Sequence, residues 1–188
     1  MSTAGVLLAA GAGTRFAGPQ HKLLAVMDGQ SVVSRALESL LGASLDAVAV
    51  VTGAVDVSEV LAAAGGEIAA IENDGWESGI ASSARCAASW AAQHGHDAIV
   101  VGLADQPFVT SAAWQIVAAS TAPVAVGTYG GRRGNPVRLA REVWPLLPHG
   151  GDEGARTVMR RFPEIVVPVA CEGSPDDIDT VEDLRRWS

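Results

Sequence analysis

The sequence contains a single lysine, Lys22, among thirteen basic residues. Cysteine is also scarce, and Cys86 and Cys171 lack any paired or metal-ligand spacing, which argues against a disulfide framework or a zinc site and predicts two reduced thiols. No basic leader opens the chain, and no apolar run approaches the roughly 20 residues that a membrane span needs. We therefore expect a cytoplasmic protein with no membrane partner.

Positive charge is scarce overall: 13 Lys and Arg residues stand against 21 Asp and Glu residues, which gives a formal net charge of −8. The arginines nevertheless cluster, since no Asp or Glu lies between Asp105 and Glu142. An acidic protein with one arginine-rich stretch suits a small anionic ligand better than a nucleic acid. A solvated basic face is the alternative for three of the arginines. The arginines in or just after the gap are Arg132, Arg133, Arg138, Arg141, Arg156, Arg160 and Arg161, and the alternative concerns Arg141, Arg160 and Arg161.

Short apolar runs alternate with longer helix-like segments along the chain. Its 188 residues, 48% of them hydrophobic, predict one globular domain over 1–188. The alternation predicts an α/β fold, a Rossmann-like three-layer sandwich with a mainly parallel central sheet. The GGRRG stretch predicts a hairpin at the sheet edge. Strands are expected near 5–9, 46–52, 67–71, 97–103, 123–128 and 164–170, and helices near 31–42, 56–64, 79–93, 111–120 and 152–161.

A glycine-punctuated turn, Gly11 to Arg15, follows the first predicted strand. Glycine allows several amide N–H groups to point at one anion, and Arg15 and Lys22 add charge beside them. The P-loop pattern fails because Pro19 and Gln20 stand where it needs Lys and Ser or Thr. The dinucleotide fingerprint fails because Phe16 replaces its third glycine. The turn is therefore predicted to bind phosphate, but neither as a P-loop nor as a dinucleotide-binding turn.

Six segments in order resemble the nucleotidyltransferases that load a nucleoside monophosphate onto a phosphorylated acceptor, and more narrowly the molybdenum cofactor cytidylyltransferases and their guanylyl relatives. The resemblance covers nearly the whole chain. It is carried by LLAAGAGTRF with Lys22, NDGWESGIASSARCA at 73–87, GLADQPFVT at 102–110, GRRGNPVRL at 131–139, GDEGAR at 151–156 and DIDTVEDL at 177–184.

The resemblance implies a nucleotide-binding side and the fold of nucleotide-diphospho-sugar transferases. Arg15 and Lys22 would stabilise the departing phosphate charge. For Ser78 the alternative is helix capping, and for Ser82 it is a solvent-facing position. The implied nucleotide-binding residues are Leu8, Ala9, Ala10, Gly11, Ala12, Gly13, Thr14, Asn73, Ser78, Gly79 and Ser82.

Two aspartates are candidate ligands of Mg²⁺, the implied cofactor. Asp105 ends an apolar strand, where a carboxylate is well placed to hold the metal against a triphosphate. Its alternative is a cap or turn residue before Pro107. Asp179 is either a second metal ligand or a cap of the final helix, a role for which Thr180 competes.

The resemblance places the acceptor on GRRGNPVRL and GDEGAR. Arginine there would clamp the phosphate and pterin groups of the acceptor. The family usually carries histidine where this chain has Asn135, and an amide cannot titrate near neutrality. The implied acceptor-binding residues are Arg132, Arg133, Gly134, Asn135, Pro136, Asp152 and Arg156.

The implied reaction is transfer of CMP from CTP to molybdopterin or the molybdenum cofactor, with release of pyrophosphate. A client molybdoenzyme or its maturation chaperone is the implied protein partner. The methyl group of Ala10 is expected to deny space to a purine. The alternatives are guanylyl or other nucleotidyl transfer to a different phosphorylated acceptor, and a non-catalytic cofactor carrier. A dinucleotide-dependent oxidoreductase is disfavoured by the missing third glycine.

Overall fold

The computed structural model describes residues 1–187 and is built around a seven-stranded sheet. Its strand order is β5-β4-β1-β6-β8-β7-β9, and β8 alone runs antiparallel to its neighbours. The mainly parallel α/β sheet predicted from the sequence is confirmed. The strands are β1 (Thr3–Leu8), β2 (Val26–Met27), β3 (Gln30–Ser31), β4 (Ala47–Thr52), β5 (Ile68–Glu72), β6 (Ala98–Leu103), β7 (Val124–Tyr129), β8 (Arg132–Ala140) and β9 (Val166–Ala170), of which β2 and β3 form a separate small hairpin.

Helices cover both faces of the sheet. One core cluster includes residues of α3 and α5, and the other includes residues of α1 and α4. The helices are α1 (Val32–Leu41), α2 (Ser58–Ala64), α3 (Ile80–Gln93), α4 (Ser111–Ala118), α5 (Ala155–Arg161) and α6 (Val181–Arg186). Among residues 1–187, none of these helices has the length and apolar character to cross a membrane.

Strand β1 shows why these segments form a buried parallel sheet. Val6 and Leu8 belong to the core cluster that contains α3, whereas Leu7 belongs to the cluster that contains α1. Successive side chains of a strand point to opposite faces, so a continuous apolar run fills both cores at once. The same parallel strands end together at their carboxyl edge, where the candidate motifs follow β1, β5 and β6.

The predicted hairpin forms, but it does not lie at the edge of the sheet. Tyr129 pairs with Arg132 across Gly130 and Gly131, whose φ angles of 57° and 84° suit a two-residue hairpin turn. Strand β8 pairs with both β6 and β7, and β9 takes the edge beyond β7. Edge placement was wrong because sequence alone did not reveal that β9 adds in parallel to β7.

Helix α4 provides a test of the core. Trp114 is 2% exposed, and its ring lies so close to Gly102 that a Cβ there would approach it to 2.5 Å. We expect Trp114→Ala to lower the free energy of unfolding by about 3 kcal/mol or more, because a large buried side chain leaves a cavity. Urea denaturation measures the change. Ile116→Ala, at a position 50% exposed on the same helix, should stay within about 0.5 kcal/mol of wild type, and equal losses in both variants would contradict this packing.

Candidate active site

The glycine turn after β1 is held by the segment that carries the lysine. Gly13 has a φ of 62°, a conformation that side-chain-bearing residues rarely adopt. His21 Nδ1 accepts from the amide of Leu23 at 3.2 Å, so its Nε2–H donates to the carbonyl of Gly11 at 3.0 Å. Burial lowers the pKa of His21, the bond to Gly11 opposes that effect, and the charge of Lys22 adds to it. The neutral imidazole of His21 therefore links the glycine turn to the segment that contains Lys22.

Lys22 lies at the centre of a charged cluster. Its Nζ donates to Asp105 Oδ2 at 2.5 Å and to Asp179 Oδ1 at 2.8 Å. Arg15 completes the cluster through a 2.9 Å ion pair with Asp179 Oδ2. The four residues come from the turn after β1, the end of β6 and the segment before α6, so the fold brings together side chains as much as 164 positions apart.

The segment before α6 is fastened to the loop after β6. The amide of Ile178 donates to the carbonyl of Asp105 at 2.8 Å, and Gln106 Nε2 donates to the carbonyl of Pro175 at 2.8 Å. Thr180 caps α6 in a reciprocal arrangement with Asp183. Thr180 therefore takes the capping role, and the side chain of Asp179 faces Lys22 instead.

Three carboxyl groups crowd around the single ammonium group. Burial lowers the pKa of Lys22, but the charges and hydrogen bonds of Asp105 and Asp179 outweigh it and hold this pKa above the ordinary value. Asp177 is an exposed residue of the cleft wall, yet burial of its carboxyl group, followed by the charge of Asp105, raises its pKa. Burial and the neighbouring carboxylates thus disfavour the ionised form of Asp177.

Within the described part of the chain, one carboxylate oxygen of Asp105 is left without a partner. Its Oδ1 atom is buried and has no hydrogen-bond partner among residues 1–187, and such an orphaned oxygen calls for an explanation. No group of three or more His, Cys, Asp or Glu side chains in that part of the chain is arranged to bind a metal alone. Mg²⁺ commonly takes one or two carboxylates and completes its shell with phosphate and water oxygens, so Asp105 and Asp179 fit it.

Two adjoining cavities open on the charged cluster. The small cavity, about 390 Å³, is lined by the glycine turn with Lys22 and Leu23. The large cavity, about 690 Å³, lies between the sheet and the arginine-rich segments. The residues that line both are Leu8, Arg15, Asp105, Asp152 and Asp179. The cluster therefore lies where a ligand in one cavity would meet a ligand in the other.

The predicted acceptor residues line the large cavity, with one exception. Arg132 and Arg133 are exposed at its mouth on β8, and Arg156 reaches it from α5. Pro136 is buried and does not line it. The other members on the lining are Gly134, Asn135 and Asp152.

Ala10 lies in the core instead of the small cavity. It is 3% exposed, and its methyl group is so close to Gly53 that a Cβ on that glycine would approach it to 2.8 Å. The steric argument that this methyl excludes a purine is therefore wrong. Leu8, Ala9, Gly11, Gly13 and Thr14 line the small cavity, whereas Ala12 does not.

The four residues of 73–87 predicted to bind the nucleoside line neither cavity, although Ile80 and Ala84 of the same segment line the large one. Asn73 is 4% exposed, and its side-chain Nδ2 donates to Ser82 Oγ at 2.8 Å and to Ser83 Oγ at 3.0 Å. Ser78 Oγ donates to the carbonyl of Gly75, so it does not cap α3. A Cβ on Gly79 would come within 2.6 Å of Gly151 and Asp152. The polar groups of this segment are thus bonded within the protein, and their role in binding a nucleoside stays a prediction.

Sequence reasoning left three site residues unassigned. His21 carries a faint signal, since it precedes the only lysine. Gln106 directly follows the predicted metal ligand Asp105 in the motif ADQP. Asp177 lies two positions before Asp179 in the motif DDID, which in an extended segment puts both side chains on one side. The hydrogen bond between Gln106 and Asp177, 2.5 Å from Nε2 to Oδ1, has no sequence signature.

This fold and site define an enzyme of the nucleotidyltransferase class. The sequence model of the MobA-like NTP transferase domain matches residues 5–166. The chain belongs to that family. It is also 34% identical over 196 residues to nicotine blue oxidoreductase of Paenarthrobacter nicotinovorans, covering 97% of this chain and 94% of that protein.

Solved structures agree with the fold. A nucleotidyl transferase from Methanothermobacter thermautotroptrophicus superimposes with a TM-score of 0.84 at 23% identity, covering 98% of this chain and 95% of that one, which establishes the fold only. The Rv0371C protein of Mycobacterium tuberculosis in complex with manganese is 25% identical, with a TM-score of 0.76 and coverage of 100% and 98%. A solved protein of this fold thus binds a divalent metal.

The cluster predicts a stability effect of the lysine. Lys22→Met leaves Asp105 and Asp179 without their buried cation, and we expect it to lower the free energy of unfolding by about 2 kcal/mol at pH 7. This is less than the roughly 3–5 kcal/mol of a fully buried pair because the cleft admits water. Because the pKa of Lys22 is raised, the stability that its charge contributes is present below the ordinary lysine pKa of 10.5 and is lost only as the pH rises above that value. Urea denaturation at pH 7 measures the effect.

Arg15→Met is the matched control, since Arg15 pairs with the same Asp179 but its side chain is 75% exposed. Exposed ion pairs contribute about 1 kcal/mol or less. Equal losses of unfolding free energy in the two variants would contradict the role given to Lys22.

Proposed function

We propose that this protein transfers a nucleoside monophosphate from a nucleoside triphosphate to a phosphorylated acceptor and releases pyrophosphate, with CTP and the molybdenum cofactor as its substrates. One observation carries the proposal: the cluster of Lys22, Asp105 and Asp179 stands where the small and large cavities meet. A triphosphate in the small cavity and an acceptor in the large one would present their reacting atoms at that junction.

The chain's own residues would contribute positioning and charge. A phosphate oxygen of the acceptor attacks the α-phosphorus, a new P–O bond forms, and the bond to the β-phosphate breaks as pyrophosphate leaves. The attacking oxygen is already ionised near neutral pH, so no general base is needed. Lys22, Arg15 and the amides of the glycine turn would neutralise charge on the departing pyrophosphate. The arginines at the mouth of the large cavity would hold the acceptor phosphate.

Asp105 and Asp179 would hold Mg²⁺, through the unpartnered Oδ1 of Asp105 and the carboxylate that now pairs with Lys22 and Arg15. When bound, the metal supplies charge neutralisation at the phosphates. Support for CTP and for the molybdenum cofactor comes from the resemblance of the turn and of the GRRGNPV and GDEGAR segments.

Pyrophosphate release tests the proposal. Purified protein with Mg²⁺ is given CTP, GTP, ATP or UTP, with and without molybdenum cofactor. Release with CTP alone that depends on the acceptor supports the full proposal. Release with another nucleotide retains nucleotidyl transfer and corrects the base. Release from no nucleotide, with this and other phosphorylated acceptors, overturns the proposal and leaves a non-catalytic carrier as the reading to test.

Asp105→Asn tests the metal ligand. It preserves size but removes the charge, and we expect turnover to fall by about 100-fold or more, because electrostatic stabilisation of this kind contributes several kcal/mol. Raised Mg²⁺ should recover part of the rate. Asp97→Asn is the matched control, since Asp97 precedes the opposite end of β6 and bonds the amide of Ser2 at 2.8 Å. Near-wild-type turnover in Asp105→Asn would remove the assigned role.

Oxidation–reduction is a second candidate function, favoured by the 34% identity to nicotine blue oxidoreductase over 97% of the chain. It requires an electron donor, for which we propose a reduced nicotinamide nucleotide. The missing third glycine of the dinucleotide fingerprint weighs against that cofactor. Loss of absorbance at 340 nm from NADH or NADPH in the presence of a quinonoid dye, without pyrophosphate release, would replace the transferase proposal by this one.

A further inference from the structure

Asn135 occupies an irregular part of the sheet that faces the large cavity. The β7–β8 ladder pairs Gly127 with Gly134 and Val126 with Val137, so Asn135 and Pro136 lie opposite no residue of β7. A bulge of this kind turns a side chain out of the regular alternation and is common beside active sites. Asn135 is half-buried on the wall of the large cavity.

The polarity of the Asn135 side chain follows from its neighbours. The carbonyl of Pro175 can only accept a hydrogen bond, so the atom of Gln106 facing it at 2.8 Å must be the amide nitrogen. That leaves Gln106 Oε1 directed at Asn135, which must then donate through Nδ2, at 2.8 Å. Asp177 accepts the other proton of the Gln106 amide. The orientation of both amides is therefore fixed by one backbone carbonyl.

Asn135 Oδ1 remains free to accept a hydrogen bond, beside the second hydrogen of Nδ2, which Gln106 does not take. Its backbone carbonyl accepts from the Tyr129 hydroxyl at 2.7 Å, and its Nδ2 is bound to Gln106. No protein donor in residues 1–187 reaches Oδ1. The residue is thus held at its backbone and at its side chain, with a single hydrogen-bond acceptor left over beside the cavity. Such prior positioning lowers the entropic cost of binding a ligand.

We propose that Asn135 Oδ1 is a specificity-determining hydrogen-bond acceptor of the large cavity, and that the substrate bound there must offer it an N–H or O–H group. This inference rests on the proposed function, because it names the acceptor class for the same site. The floor of the cavity is apolar and suits the face of a planar ring. The floor residues include Ile80, Ala84, Val101, Val126, Val137 and Met159.

The class of substrate follows from these two features. A planar heterocycle with N–H groups at its edge would cover the apolar floor and satisfy Oδ1, whereas a ring without donors would leave Oδ1 desolvated and unpaired. A site built to bond a donor rejects the analogue lacking it more strongly than an apolar pocket rejects a change of size. Asn135 is a neutral acceptor at every physiological pH, so this selection is independent of protonation.

Ligand binding tests the proposal without any nucleotide. The fluorescent probe 6-hydroxymethylpterin, which carries N–H and O–H donors, is compared with quinoxaline, a bicyclic ring with none. Wild-type protein should bind the pterin at least ten-fold more tightly. Asn135→Leu should weaken pterin binding at least ten-fold and change quinoxaline binding less than two-fold. Asn135→His should stay within about three-fold of wild type for the pterin, because a neutral imidazole that donates to Gln106 still has one accepting nitrogen.

Several results would overturn the proposal: pterin binding unchanged in Asn135→Leu, equal losses for both probes, or wild-type protein that binds quinoxaline as tightly as the pterin or binds no pterin. The comparison of the two probes in wild type holds even where Asn135→Leu does not fold. Pyrophosphate release from CTP and molybdenum cofactor is measured on the same preparations. Its absence would overturn the proposed function alone, since the probe comparison involves no turnover.

Discussion

The site depends on the ion pairs that the ammonium group of Lys22 forms with two carboxylates. Asp105 and Asp179 approach it from segments distant in the chain, and Asp177 adds a third carboxyl group nearby. Carboxylates brought this close repel one another unless a cation lies between them. Lysine suits that position because its compact charge has three donors, whereas a planar guanidinium favours the paired oxygens of one carboxylate. The only lysine of the chain is therefore where the fold brings its acidic groups together.

The second carboxylate of the cluster comes from outside the span that the family model matches. That match ends at residue 166, whereas Asp177 and Asp179 lie between β9 and α6. Backbone and amide hydrogen bonds from Ile178 and Gln106 fasten this segment to the loop after β6. The same Gln106 bond orients Asn135. The short segment before α6 thus completes the charged cluster and also fixes the orientation of the Asn135 amide on the wall of the large cavity. The charged cluster and that wall therefore depend on the same segment.

Much of the fold was predictable because burial on both faces leaves a strong local pattern. Val6 to Leu8, Ala47 to Val51 and Ala98 to Val101 are continuous apolar runs, and all lie in the parallel part of the sheet. The position of the β7–β8 hairpin was not predictable, since strand order depends on pairing between distant segments. The meeting of Lys22 with Asp105 was predictable because both belong to motifs that follow parallel strands, and their catalytic roles stay predictions. The Ala10 methyl was assigned wrongly because its packing against Gly53 is a contact between loops that no local pattern encodes.

The two cavities differ in what their residues can distinguish. The small cavity is lined by the glycine turn and by charged groups, which suit a phosphate whatever the rest of the ligand. The large cavity has an apolar floor, arginines at its mouth and one fixed amide oxygen, a combination suited to distinguish one ligand from another. A relative 34% identical over nearly the whole chain is named an oxidoreductase, so this fold is compatible with differently named activities. Differences in activity among such relatives should therefore arise first in residues of the large cavity, and on our proposal Asn135, with its unpaired acceptor, is the position where one substitution would change which substrate fits.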